Sequence, residues 1–332
     1  HWDSWEDGLR SHIFVAPLVA EEGRPRELGK PVDLMKGQDV DSPTRPFGGD
    51  DEISFAPDGT EIAYAARVVP GSEVAWSTDV DIFRVPVDAS SPPRKVTTDN
   101  RAWDTQPAYS PDGKWLVHLA MSRPGFEADR FRILLRSRAA DGKLGAPREV
   151  APDWDRSAGG LAWTSDSKAL IVTAQETGRL KIFSVDVESG QVKTLVGEHH
   201  NTSVSVGAHG RIFFLQDSTV SPADLFSVPT GGGEVKRLTA VNAELLAKIE
   251  MNPPEEIWFA GAGGEKVHAW LVRPPGFRSG RRYPVALMVH GGPQGAWTDQ
   301  FHYRWNPQIY ASAGYLTLAV NFHGSTGYGQ AF

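Results

Sequence analysis

Three stretches of the chain repeat one phrase: ISFAPDGTEIAYAA (53–66), PAYSPDGKWLVHLA (107–120) and LAWTSDSKALIVTA (161–174), with a looser copy, VSVGAHGRIFFLQ, at 204–216. Aligned on Asp58, Asp112, Asp166 and His209, the copies lie 54, 54 and 43 residues apart. Each reads as strand, tight turn, strand, because Asp-Gly supplies the positive φ that a short hairpin needs. A second phrase follows each copy: DIFRVPVD, RILLRSRA, KIFSVDVE and DLFSVPTG. Tails such as RKVTT, REVAP, VKTLV and VKRLT then close the units. Four strands per unit at this period predict a β-propeller, since a sandwich of unrelated hairpins would not repeat its phrases.

Four blades are readable in this way. A fifth second-phrase, HIFVAPLV (12–19), has no first phrase ahead of it. The expectation is a propeller with four to five blades visible and its N-terminal blades missing.

From Glu250 the repeats stop. MNPPEE, with its Pro-Pro pair, reads as a linker, followed by two strands around a Gly-rich turn (257–277). YPVALMV (283–289) is apolar on both faces, the pattern of a strand buried inside a mostly parallel sheet. Residues 301–314, FHYRWNPQIYASAG, carry helical spacing and end in Gly, and YLTLAVNF is another apolar strand. Strand, loop, helix, strand is the opening of an α/β unit. The expected organisation is therefore a partial propeller over 1–250 and the N-terminal portion of an α/β-hydrolase domain over 251–332, ending before the nucleophile elbow.

Two apparent sites dissolve on inspection. Gly261-Ala262-Gly263-Gly264 lacks the third glycine and the following helix of a dinucleotide loop, so it reads as a hairpin turn. His199 and His200 are neighbours on a strand and face opposite ways, which suits a structural role better than one metal site. The bulk numbers exclude more. A net charge of −7 with no basic stripe argues against nucleic acid, the absence of cysteine excludes thiol chemistry and disulfides, and no apolar run is long enough for a membrane helix. No metal or organic cofactor is implied.

His290-Gly291-Gly292-Pro293 directly follows the apolar strand. A glycine pair there is either a simple tight turn or a loop that aims a backbone N–H into open space, as one half of an oxyanion hole. The repeats followed by Val-His-Gly-Gly-Pro and by NFHGSTGYGQAF (321–332) resemble the prolyl oligopeptidase family of serine peptidases. HGGPQGAW, YRWNPQ, NFHGSTGYGQ, HWDSWEDG and RPGFEADR are similar to its dipeptidyl-peptidase V branch, which includes exported bacterial members. His323 stands where many relatives have Arg, which favours that branch over the acylaminoacyl-peptidases. The resemblance covers essentially the whole chain.

It implies a serine exopeptidase that releases N-terminal dipeptides through an acyl-enzyme. No Gly-x-Ser-x-Gly is present, so the Ser/Asp/His triad is expected outside this chain, which alone should be inactive; Ser325 reads as an ordinary loop serine. By motif position Gly292 would donate its N–H to the oxyanion and His290 would shape that loop, and Gly292→Val is expected to slow turnover with little loss of folding. Peptides with a free N-terminus would be the partners, held by a carboxylate on their ammonium group. Candidates are Asp3, Glu6 and Asp7, with Trp2 beside them, and Glu127 or Asp129 on a long hairpin loop, with Arg130 orienting Glu127. The alternatives are an acylaminoacyl-peptidase or esterase on the same scaffold, or a non-catalytic propeller that binds proteins. A homodimer is left open, and the expected location is periplasmic or secreted, with the cytoplasm left open.

Overall fold

The structure, a computed structural model, describes residues 8–21, 24–27, 29–292 and 294–332. The chain gathers into two compact units, His1–Val150 and Ala151–Phe332.

In the first unit two repeats fold as four-stranded antiparallel meanders. One consists of β1 (Ile53–Phe55), β2 (Glu61–Ala66), β3 (Asp81–Pro86) and β4 (Arg94–Lys95) in sequential order. The other consists of β5 (Asp104–Tyr109), β6 (Trp115–Ala120), β7 (Arg132–Ser137) and β8 (Arg148–Val150). Strand β2 shows why both faces are apolar. Ile62, Tyr64 and Ala66 enter a cluster with Phe83, Val85 and Met35, while Ala63 and Ala65 enter another with Ile82, Tyr109 and Leu116. Successive side chains point to opposite faces, so a sheet packed on both sides needs apolar residues at every position. The fifth copy behaves differently. Phe14–Val15 pairs with Val32–Asp33, and Leu18–Glu21 with Arg24–Glu27, in two-stranded sheets.

The second unit opens with two more meanders: β9 (Ala158–Trp163), β10 (Ala169–Glu176), β11 (Arg179–Asp186) and β12 (Val192–Val196), then β13 (His200–Gly207), β14 (Arg211–Ser218), β15 (Ser221–Pro229) and β16 (Lys236–Arg237). A parallel contact at Leu180 and His200 joins them, and Ile171, Ile182, Ile212, Phe214 and Val228 form one shared core.

The repeat is chemical as well as topological. At the four hairpin turns Gly59, Gly113, Ser167 and Gly210 have φ of 70°, 72°, 60° and 67°. In three of them the preceding aspartate accepts the backbone N–H two residues on, at Thr60, Lys114 and Lys168. The Asp-Gly signal is therefore an Asx turn whose second residue must sit in the left-handed region.

After Pro253-Pro254 the chain builds another sheet from β17 (Glu255–Ala260), β18 (Lys266–Val272), β19 (Val285–Val289) and β20 (Leu316–Asn321), ordered β17-β18-β20-β19. The Gly-rich segment 261–264 is a hairpin turn between β17 and β18, as its sequence implies. Among the described residues the sheet is mixed, with β19 and β20 its one parallel pair. Strand β19 has a neighbour on one edge among those residues, and Val285, Leu287 and Val289 are 58%, 60% and 64% exposed there. One expectation needs correction. The helix α1 is only Pro307–Ser312. Asn306 caps it by accepting from Gln308 N at 2.9 Å, and Pro307 occupies the first turn. Upstream, His302 Nδ1 accepts from the N–H groups of Arg304 and Trp305, which holds 302–305 as a turn. Among the described residues no helix is long and apolar enough to cross a membrane.

Candidate active-site loops

Because β19 and β20 are parallel, with Val289 beside Val320, their loops leave from the same end of the sheet. The carboxyl ends of parallel strands are where open α/β sheets place their ligands. Antiparallel β18 brings His268 opposite Asn321 at this same end. Loops 290–300 and 322–332 are thereby neighbours, and short-range chemistry ties them together.

Asn321 accepts from Trp297 N at 2.7 Å and donates to Trp297 O at 2.9 Å, so one amide side chain satisfies both backbone groups of a residue in the other loop. Thr326 N donates to Gly295 O at 2.9 Å. The imidazole of His290 stacks on Phe322, centroids 4.4 Å apart, and its Nε2 lies 2.8 Å from Ser325 Oγ. Behind them Tyr328 donates to His268 Nδ1 at 2.6 Å. His268 is fully buried, and the loss of water around it pulls its pKa down to about 4. It is thus neutral near pH 7, with the Nδ1 lone pair free to accept.

The glycine pair follows His290. Gly291 and Gly292 are exposed, and among the described residues the N–H of Gly292 has no hydrogen-bond acceptor. Gly292 has φ of 124°, and an added Cβ would fall 2.4 Å from Gln294 N. A valine there would rebuild the loop backbone, so the expectation that Gly292→Val spares folding is corrected. A cavity of about 650 Å³ adjoins the loop, lined by Trp270, Met288, His290, Gly291, Trp297 and Tyr310 among others.

Both histidines make structural contacts, but His199, with φ of 63°, lies ahead of strand β13 and not on it, so the expected strand geometry does not apply to the pair. His199 Nδ1 is 2.6 Å from Asp299 Oδ2, and His200 Nδ1 is 3.0 Å from Asp217 Oδ2. The other oxygens of those carboxylates accept from Thr219 and from Phe301 N, fixing residues 299–301. The phrase GSTGYG also has a local cause. Gly327 O accepts from Thr177 N, and Gln330 N donates to Asp155, contacts for which the chain must approach closely at Gly327 and Gly329.

The other candidates divide. Trp2, Asp3, Glu6 and Asp7 lie outside the described residues. Glu127 is exposed on the loop between β6 and β7, and among the described residues its carboxylate has no partner. Arg130 does not orient it; its Nη2 reaches Glu149 at 3.4 Å. Asp129 is 5% exposed and accepts from Ser122 N, Ser122 Oγ, Arg123 N and Arg123 Nε. It organises the loop and has no free face for a substrate. Ser325, dismissed as an ordinary loop serine on sequence, is 3% exposed and bonded to His290. Asn321 and Ser325 lie in the phrase NFHGSTGYGQ, which marked the segment without assigning either residue its contact; His268 and Asp299 stand in no quoted motif.

The fold resembles that of solved proteins. It superposes on the acylaminoacyl peptidase of Pyrococcus horikoshii with a TM-score of 0.66 at 22% identity, over 82% of this chain and 40% of that one. In sequence it is 30% identical over 331 residues to dipeptidyl-peptidase 5 of Porphyromonas gingivalis and 29% identical over 343 residues to that of Schizosaccharomyces pombe. These alignments take in 99% and 100% of this chain but 47% and 48% of the relatives, so the chain spans about half the length of the curated relatives it matches. No protein-family model matches it. The chain belongs to the prolyl oligopeptidase family of serine peptidases, and the two relatives above are dipeptidyl-peptidases 5.

Proposed function

We propose that this chain is part of a serine exopeptidase that removes dipeptides from the N-termini of peptides. On this reading the meanders are blades of a β-propeller, the β17–β20 sheet opens an α/β-hydrolase domain, and nucleophile and base come from residues outside this stretch. A serine hydroxyl attacks the scissile carbonyl, and the oxygen gains a full negative charge in the tetrahedral intermediate. Two N–H donors must meet that charge: Gly292 and the residue after the nucleophile. The observation that carries the reading is the exposed N–H of Gly292, without an acceptor among the described residues, at the carboxyl end of a parallel strand.

The most direct test removes the donor, and the ester it creates also makes the Gly291 carbonyl a weaker acceptor for His290. Replacing Gly292 by glycolate in the full-length enzyme converts the amide to an ester, with no side chain to collide. Turnover should fall by about 10²–10³ with KM nearly constant; wild-type turnover refutes the role. Substrate class is tested with Ala-Ala-p-nitroanilide against acetyl-Ala-p-nitroanilide. A dipeptidyl-peptidase cleaves the first, whereas preference for the second assigns the enzyme to acylaminoacyl-peptidases, whose fold fits equally well.

Glu127 is the proposed anchor for the substrate ammonium, supported by its exposed carboxylate, which has no partner among the described residues. Glu127→Gln should raise KM for the free-amine substrate about tenfold or more while kcat changes little. An unchanged KM removes Glu127. A periplasmic or secreted location accompanies the proposal, and cell fractionation checks it.

A further inference from the structure

We propose that Ser325 is a positioning residue for the oxyanion donor, acting through His290 on the peptide between Gly291 and Gly292. The inference rests on the reading of Gly292 given above. Its basis is a chain of four contacts in which each step leaves one arrangement.

His290 Nδ1 lies 2.9 Å from Gly291 O. A carbonyl oxygen can only accept, so Nδ1 carries the proton in this contact. In the neutral ring Nε2 is then an acceptor, and the group 2.8 Å from it is the hydroxyl of Ser325, which donates. Ser325 is itself fixed: it is 3% exposed, and its N–H donates to Phe322 O at 2.9 Å. Phe322 in turn stacks on the His290 ring at an interplanar angle of 15°, so the ring cannot swing away without losing both contacts.

The last step belongs to the peptide bond. In a planar trans peptide the C=O and the following N–H point in opposite directions. Drawing Gly291 O back toward His290 therefore directs Gly292 N–H the other way. Glycines on both sides of this bond would otherwise let the peptide plane rotate freely, the freedom that an oxyanion donor cannot have if it is to be preorganised. The hydroxyl of Ser325 selects the His290 tautomer, the tautomer holds the carbonyl, and the carbonyl aims the amide.

The test uses the full-length enzyme with whichever p-nitroanilide it cleaves. Ser325→Ala should lower kcat about three- to tenfold, the range of one neutral hydrogen bond, with KM changed less than about twofold. The affinity for a dipeptide aldehyde, whose hemiacetal uses the oxyanion donors, should fall in parallel with kcat, while affinity for the product dipeptide should not. A serine that served folding alone would lower thermal stability and leave the ratio of aldehyde to product affinity untouched, and that result overturns the proposal. His290→Phe keeps the stacking on Phe322 but removes both hydrogen bonds, and adding Ser325→Ala to it should cost nothing more. Additive losses also overturn the proposal. Should glycolate at 292 be costly and Ser325→Ala silent, the oxyanion reading stands and the positioning role alone falls; if glycolate is silent, both fall.

Discussion

His199 and Asp299 are a hundred residues apart in sequence and 2.6 Å apart in the structure. The carboxylate is shared: Oδ2 faces the imidazole, while Oδ1 accepts from the N–H and hydroxyl of Thr219. The hydrogen bond to Asp299 raises the pKa of His199 above its usual 6.5, against a smaller opposing effect of burial. Glu198 also favours the charged ring and Arg179 opposes it. A raised folded-state value means that the pair contributes fully below the unfolded pKa near 6.5 and loses its contribution as pH climbs through the folded one. The wild-type melting temperature should therefore decline more steeply between pH 6.5 and 9 than that of His199→Asn, measured by scanning calorimetry in matched buffers. The difference should be small, below about 1 kcal/mol, because solvent screens a ring that is 44% exposed. Equal slopes for the two proteins would show that His199 does not titrate against Asp299.

Asp129 makes the opposite pH prediction for the loop that carries Glu127. Burial resists its ionisation, but hydrogen bonds from the backbone of Ser122 and Arg123 and from their side chains win, and its pKa is held down at about 2. Its stabilising contribution is therefore present above the unfolded value of 3.8 and is lost as pH falls from there toward 2. Asp129→Ala leaves the N–H groups of Ser122 and Arg123 unpaired and should cost about 2 kcal/mol of stability. If Glu127 anchors the substrate amine, the loosened loop should also raise KM while kcat holds. A variant that loses stability but keeps its KM would detach loop order from substrate binding.

These contacts mark where the sequence stopped being readable. The repeated phrases and their Asp-Gly turns located the hairpins of the meanders, because the signal is local: an Asx turn depends on residues two apart. Even Ser167 in place of glycine adopts the same backbone, so the phrase survived one substitution. His199 with Asp299, and Ser325 with His290, are set by where whole sheets place their loops, and no spacing encodes that. The helix start was misjudged because Phe301, Trp305 and Ile309, four apart, share a helical face, whereas His302 takes the backbone N–H groups of Arg304 and Trp305.

The turn between β10 and β11 supplies a pair of opposite stability effects. Thr177 and Gly178 both have positive φ, 47° and 67°, the pattern of a two-residue type I′ turn that favours Asn-Gly. A β-branched threonine in the left-handed region is strained, and its N–H and C=O already serve Gly327 and Arg179. Asn tolerates that backbone and keeps both groups, so Thr177→Asn should stabilise the protein by about 1 kcal/mol. Gly178 has no such latitude. A Cβ there would fall 2.6 Å from Trp270 Nε1 and 2.8 Å from His268 Cε1, two buried rings at the base of the candidate site, while Gly178 O accepts from Asp299 N. Gly178→Ala should cost about 2 kcal/mol or more, through backbone strain and overpacking together. Denaturant midpoints for the two variants should therefore move in opposite directions. A destabilised Thr177→Asn would show that the threonine side chain contributes more to this turn than its backbone strain removes.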